Sequence, residues 1–151
     1  MVVDDPTKLL ASGFHAGFEW NIIHNGIGYR CGYVRLPSGH PWYGADIFSD
    51  GAPDPNVHGG LTFADYDKPC GNGDDNGYWI GFDCAHGWDA IDPELPGGDW
   101  IRRMGIVPWV DGDRAIRTTE YVRKECESLC EQASAAMTKR LILKLDVKVG
   151  I

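Results

Sequence analysis

The sequence predicts a small single α+β domain: a twisted, mainly antiparallel sheet with one long C-terminal helix packed on it. Three observations carry this. Asn25-Gly26 sits between two alternating apolar stretches, the pattern of a β-hairpin. Val122, Cys126, Leu129, Cys130, Ala133 and Met137 recur at helical spacing near the C-terminus. Twenty Gly, nine Pro and six Trp in 151 residues imply many turns and several large aromatic anchors, which suits a loop-rich α+β chain better than a helical bundle. The length is that of one domain with a real core, taken as residues 1–140, with 141–151 as a C-terminal strand or flexible tail.

In chain order, residues 5–12 read as a short helix, with Asp5 as N-cap, Pro6 in the first turn and Gly13 as its end. Phe14 to His24 alternates, with Phe14, Ala16, Phe18, Trp20 and Ile22 on one face. Ile27 to Leu36 is the return strand, with Arg30, Gly32 and Val34 sharing a face. Its Gly residues leave room for a ligand or another backbone. Residues 37–44 form a turn-rich loop, and 45–56 an irregular acidic one. Val57–Phe63 and Tyr78–His86 are short strands bounded by Gly and Asp clusters. The acidic stretch 64–77 between them reads as a solvated loop and lacks the calcium-loop pattern with its closing Glu. Residues 87–112 wrap around the domain, with one short strand over Met104–Val110. The helix starts near Thr118 or Thr119 and runs to about residue 139 or 140, supported by Glu120–Lys124 and Arg123–Glu127 pairs. Leu141–Val149 alternates with lysines.

Charge and composition narrow the function classes. A net charge of −8 argues against a general nucleic-acid binder but not against a small anionic ligand met by one or two Arg. No stretch is apolar for long enough to span a bilayer, so no membrane partner is expected. The N-terminus lacks a signal-peptide layout, which makes the cytoplasm the default. The five Cys show no CxxC pair and read as reduced, mostly buried thiols.

The chemistry concentrates between Val57 and Asp89, where His58 lies beside a Gly pair and Asp83-Cys84-Ala85-His86 ends a strand. Several readings stay open. His58, Asp83 and His86 match a two-His, one-carboxylate set for a divalent metal, although no HxH or HExxH spacing supports it and a metal is not favoured. Without metal, His58 and His86 are general base and acid on a phosphate ester. Arg30 or Arg35 then meets developing negative charge, and Asp83 orients an imidazole. Alternatively they only lock the fold or hold a ligand. Cys84 with His86 is a weaker nucleophile–base pair. His40, Trp42, Tyr43, Thr62 and Trp79 complete a ligand-binding set, with Trp42 or Trp79 stacking a base. Tyr78, Trp88 and Trp100 cluster around the same Gly-rich segments, and core packing is the competing role for each aromatic.

Five segments in order, Gly28–Val34, Gly39–Gly44, Val57–Phe63, Trp79–His86 and Tyr121–Leu129, resemble a family of small hypothetical proteins of tailed bacteriophages and prophages. The resemblance covers roughly residues 20 to 135. It implies action in a host bacterial cytoplasm and supplies no residue roles. With the site residues, it leads to the expectation of an anti-defence enzyme that hydrolyses a phosphodiester in a small nucleotide immune signal. Two alternatives are a non-catalytic protein that sequesters such a nucleotide and a protein-binding inhibitor of a host factor. Self-association is left open.

Overall fold

A computed structural model describes residues 8–70, 74–105 and 114–148. Its elements are β1 (Leu9–His15), β2 (Phe18–His24), β3 (Arg30–Leu36), β4 (Phe63–Asp67), β5 (Asp74–Asp83), β6 (Asp89–Ala90), α1 (Trp100–Arg103), β7 (Ala115–Ile116) and α2 (Thr119–Lys148). The first five strands form one antiparallel sheet in the order β1-β2-β3-β5-β4. β6 and β7 form a separate parallel pair. The expected α+β architecture is therefore present, with α2 lying across the sheet.

The core explains the main elements. Phe18, Trp20 and Ile22 of β2, Val34 and Leu36 of β3, and Tyr78, Ile80 and Phe82 of β5 face α2, which contributes Val122, Cys126, Leu129, Cys130 and Ala133. At Gly32 the sheet passes close beneath the helix. A Cβ there would stand 2.5 Å from Phe82 Cζ and 2.7 Å from Cys126 Sγ, so the room that this glycine leaves is filled by the core. On the opposite face Ile23, Cys31, Tyr33, Cys70 and Trp79 form a second buried cluster, with Phe63 packed on it. Thr118 caps α2, its Oγ1 accepting from the Tyr121 amide at 3.1 Å. Arg123 pairs with Glu127 as expected, and also with Glu120.

Several local readings change. Leu9–Ser12 belong to β1 instead of a helix, because pairing with β2 from Leu9 to His15 outweighs the local capping signal; residues 5–7 lie outside the described residues. The long alternating stretch from Phe14 breaks at Ala16-Gly17, where φ is 50° and 89°, and the chain reverses into β2. Asn25-Gly26 does begin a reversal, but a five-residue one. Asn25 Oδ1 accepts from the Ile27 and Tyr29 amides at 3.0 and 3.2 Å, and β3 starts at Arg30 instead of Ile27.

Val57–Gly60 is a turn closed by a 2.8 Å bond from the Gly60 amide to the Val57 carbonyl, and β4 begins only at Phe63. Gly59 and Gly60 both take positive φ there, which interrupts the expected strand. The stretch expected as a solvated loop supplies β4 and the start of β5. β5 ends at Asp83, so Cys84–His86 leave the sheet. Met104 follows α1, and the rest of the expected Met104–Val110 strand lies outside the described residues, save Gly105 in the turn after α1. α2 continues to Lys148 where a strand or tail was expected. No helix among the described residues is long and apolar enough to cross a membrane.

Candidate functional site

Three chain segments converge beyond the end of β5. The 57–60 turn brings His58, the 83–89 reversal brings His86, Trp88 and Asp89, and the β7–α2 junction brings Arg117 and Tyr121. The parallel β6–β7 pair sets Asp89 opposite Ala115, so Arg117 emerges beside the carboxylate. Arg30 fixes that junction: it donates to Asp92 Oδ2 at 2.8 Å, to Thr119 Oγ1 at 3.0 Å and to the Arg117 carbonyl at 3.0 Å.

Asp89 is the hub. Its side chain is fully buried. Oδ1 accepts from Arg117 Nε at 2.8 Å, and Oδ2 accepts from the His86 amide at 2.9 Å and from His86 Nδ1 at 3.0 Å. His58 Nε2 lies 3.0 and 3.1 Å from the two oxygens. Burial alone would raise the Asp89 pKa. The His86 amide, Arg117, His58 and the His86 ring outweigh it and hold the carboxyl below its ordinary 3.8.

The two imidazoles are not equivalent. A carboxylate only accepts, so His58 donates from Nε2 to Asp89, and its Nδ1 accepts from the Tyr121 hydroxyl at 2.8 Å. Burial first, and then Glu125, raise the Tyr121 pKa and keep it a donor. Both His58 nitrogens are thus engaged. His86 donates from Nδ1 to Asp89, and its Nε2 lies 3.9 Å from Asp83 Oδ1. Its ring stacks on Trp88 at 4.5 Å and 5°. Gly59 packs against the Cε1–Nε2 edge: a Cβ there would stand 2.3 Å from His86 Cε1 and 2.5 Å from Nε2, and φ is +69°. The room beside the Gly pair is occupied by this ring. Asp83 accepts from Thr62 Oγ1 at 2.9 Å and from the Ala85 amide at 3.1 Å, which shapes the exit from β5.

His58, His86 and Asp89 place ligating atoms within 4.8 Å of one another. The carboxylate in this set is Asp89, where the sequence suggested Asp83. Arg117 and the His86 amide occupy one Asp89 oxygen each, so a cation here would displace imidazole hydrogen bonds and sit beside a guanidinium. The hydrogen bonding of Asp89 and His58 is complete as it stands.

The remaining expected site residues are elsewhere. His40 is buried, donating from Nε2 to the Ala133 carbonyl at 2.8 Å and accepting at Nδ1 from the Trp42 amide at 3.0 Å. Ala133 lies twelve residues beyond Tyr121 on α2, about 18 Å along the helix, so His40 and Trp42 are not in this site. Tyr43 packs on Tyr66 and Tyr78. Trp79 is fully buried in the second cluster and presents no face to a ligand. Cys84 is buried among the α2-facing side chains; burial first and then Asp89 push its thiol up, which removes it as a nucleophile. Sequence reasoning missed Asp89, Arg117 and Tyr121 as site residues. The one available signal was the His86-x-x-Asp89 spacing within a tight turn. No protein-family model, curated protein or solved structure matches the chain.

Proposed function

We propose that this protein hydrolyses a phosphodiester in a small nucleotide, with His86 moving the proton. The observation that carries the reading is the Asp89–His86 pair: a buried carboxylate fixes Nδ1, and among the described residues Nε2 makes no hydrogen bond, in a side chain that is 20% exposed. In the step, Nε2 takes a proton from water as the water oxygen bonds to phosphorus. The phosphorus–oxygen bond to the leaving group breaks, and the imidazolium returns that proton to the leaving oxygen. Asp89 stabilises the imidazolium in between. Trp88, 46% exposed, takes the base-stacking role expected of Trp42 or Trp79. Arg114, exposed and donating to the Gly87 carbonyl at 3.0 Å, supplies positive charge on the same rim. The resemblance to phage proteins supplies the setting, a nucleotide immune signal in a bacterial host. His58 is a positioning residue in this scheme, since both its nitrogens are bonded.

That same saturation of His58 favours a second reading, in which the protein sequesters the nucleotide without cleaving it. The purified chain is to be incubated with cyclic dinucleotides, cyclic trinucleotides and cyclic ADP-ribose isomers, with and without chelator. Products are read by chromatography and binding by thermal shift. His86→Ala is expected to lower turnover about a hundredfold or more. Undiminished turnover in that variant sinks the assignment. Intact ligand released on denaturation selects sequestration, and no shift with any nucleotide points to a protein partner.

A further inference from the structure

α2 runs on well past its last buried position, touching the body there through Arg140, which donates to the Gly39 carbonyl at 3.1 Å. Its 30 residues span about 45 Å, and its buried positions end at Ala133. Every residue from Thr138 to Asp146 is exposed. Among them Leu141, Ile142 and Leu145 are 57%, 53% and 61% exposed. A helical extension this short is marginal alone in water, and apolar side chains around it add no stability until something covers them.

The helix period shows what they face. Glu131, Ser134, Thr138, Leu141, Ile142 and Leu145 fall within an arc of about 100°. Leu143 lies on the opposite side, against a groove of about 450 Å³ shared with Pro41 and Trp42. Leu141, Ile142 and Leu145 therefore face away from that groove, and at the other end of the arc Glu131, its side chain 65% exposed, meets His15 of β1 at 3.0 Å.

Charge is distributed along the same helix. Residues 119–131 carry Glu120, Glu125, Glu127 and Glu131 against Arg123 and Lys124. Residues 138–148 carry Lys139, Arg140, Lys144 and Lys148 against Asp146. Two such helices attract when antiparallel and repel when parallel.

We infer that the α2 ridge is a homodimer interface, two copies pairing antiparallel about a two-fold axis near Thr138. The symmetry sets Leu141 and Ile142 over the partner's Ala135 and the partner's Ser134 and brings the partner's Lys144 beside Glu131, which keeps its own His15 at 3.0 Å. Each copy so covers the other's aliphatic extension and opposes unlike charge.

Sedimentation equilibrium of the full chain is expected to give a dimer. Leu141→Glu with Leu145→Glu makes it monomeric, with an unchanged circular dichroism spectrum and unfolding midpoint for the body. Glu131→Lys and Lys144→Glu each weaken the dimer about tenfold, since two symmetry-related attractions become repulsions, and the double reversal restores it. All five native cysteines are buried, so Thr138→Cys adds a thiol on the axis that oxidises to a disulfide-linked dimer. A native chain that stays monomeric at every concentration overturns the inference. So does a dimer indifferent to the Leu substitutions, or one that the double charge reversal fails to restore. Binding of a monomeric chain to anionic vesicles through the same leucines would reassign the ridge to lipid and also overturn it.

Discussion

Asp89→Ala is expected to lower the unfolding free energy by about 3–5 kcal/mol, as removal of one partner from a buried ion pair does elsewhere. The substitution strands four groups at once. Arg117 Nε loses its acceptor at 2.8 Å, the His86 amide loses one at 2.9 Å, and the two imidazoles lose the carboxylate that they share. Little solvent is present to replace it, because the Asp89 side chain is fully buried and that of His58 is 5% exposed. Asp89→Asn keeps the shape but presents an amide donor to groups that already donate, and is expected to cost about 1–3 kcal/mol. Urea unfolding curves at neutral pH measure both. A change below about 1 kcal/mol for the alanine variant would mean that the network does not hold the three segments together.

The acid limb provides a separate check. The folded-state pKa of Asp89 lies below its ordinary 3.8, so near and below that pH the unfolded chain binds the proton more readily than the folded one. The contribution of Asp89 to stability is complete well above pH 4 and is lost as pH falls through the ordinary value toward the folded one. Asp89→Asn has nothing to titrate there. Its stability should fall less steeply than that of the native chain over the same acid range.

The legible parts of the fold are those whose signals are local. The β2–β3 reversal announces itself in Asn25-Gly26 between alternating stretches, and α2 in its Val122–Cys126–Leu129–Ala133 stripe. β1 does not, because Asp5-Pro6 imitates a helix start while the strand that claims Leu9–His15 pairs only after the chain reverses. His58 and His86 stand out as polar groups in apolar surroundings and do meet, with ring centroids 5.5 Å apart. Asp83, the carboxylate expected beside them, does lie 3.9 Å from His86 Nε2, but Asp89 is nearer at 3.0 Å from Nδ1 and was not expected. The strand in fact stops at Asp83, and a tight turn folds Asp89 back under the ring. Arg117 and Tyr121 reach His58 and Asp89 through a two-residue parallel pairing and a helix start far along the chain, which no periodicity encodes. Aromatic residues were the hardest to assign, since a ring that stacks on a ligand and a ring that fills a core have the same composition.

Trp79 and Trp88 turn that ambiguity into a measurement. Trp79→Ala is expected to destabilise the protein by about 3–5 kcal/mol, the usual range for emptying a buried aromatic site. Trp79 is fully buried, packs with Ile23, Cys31, Tyr33 and Cys70, and is cross-strand neighbour to Arg35 and Asp65. That cluster lies on the sheet face away from α2, so neither the helix nor the main core can relax into the vacated volume. Trp79→Phe retains most of the packing and is expected to cost about half as much. Trp88→Ala should leave the unfolding free energy within about 1 kcal/mol, because the ring is 46% exposed and its main partner is the His86 ring at 4.5 Å. Its effect falls instead on any nucleotide held at the rim. Chemical denaturation of the three variants separates the two roles. A Trp79→Ala protein with a near-native midpoint would remove this tryptophan from the core and reopen its role as a stacking surface. A Trp88→Ala protein that unfolds easily would make Trp88 the structural residue of the pair.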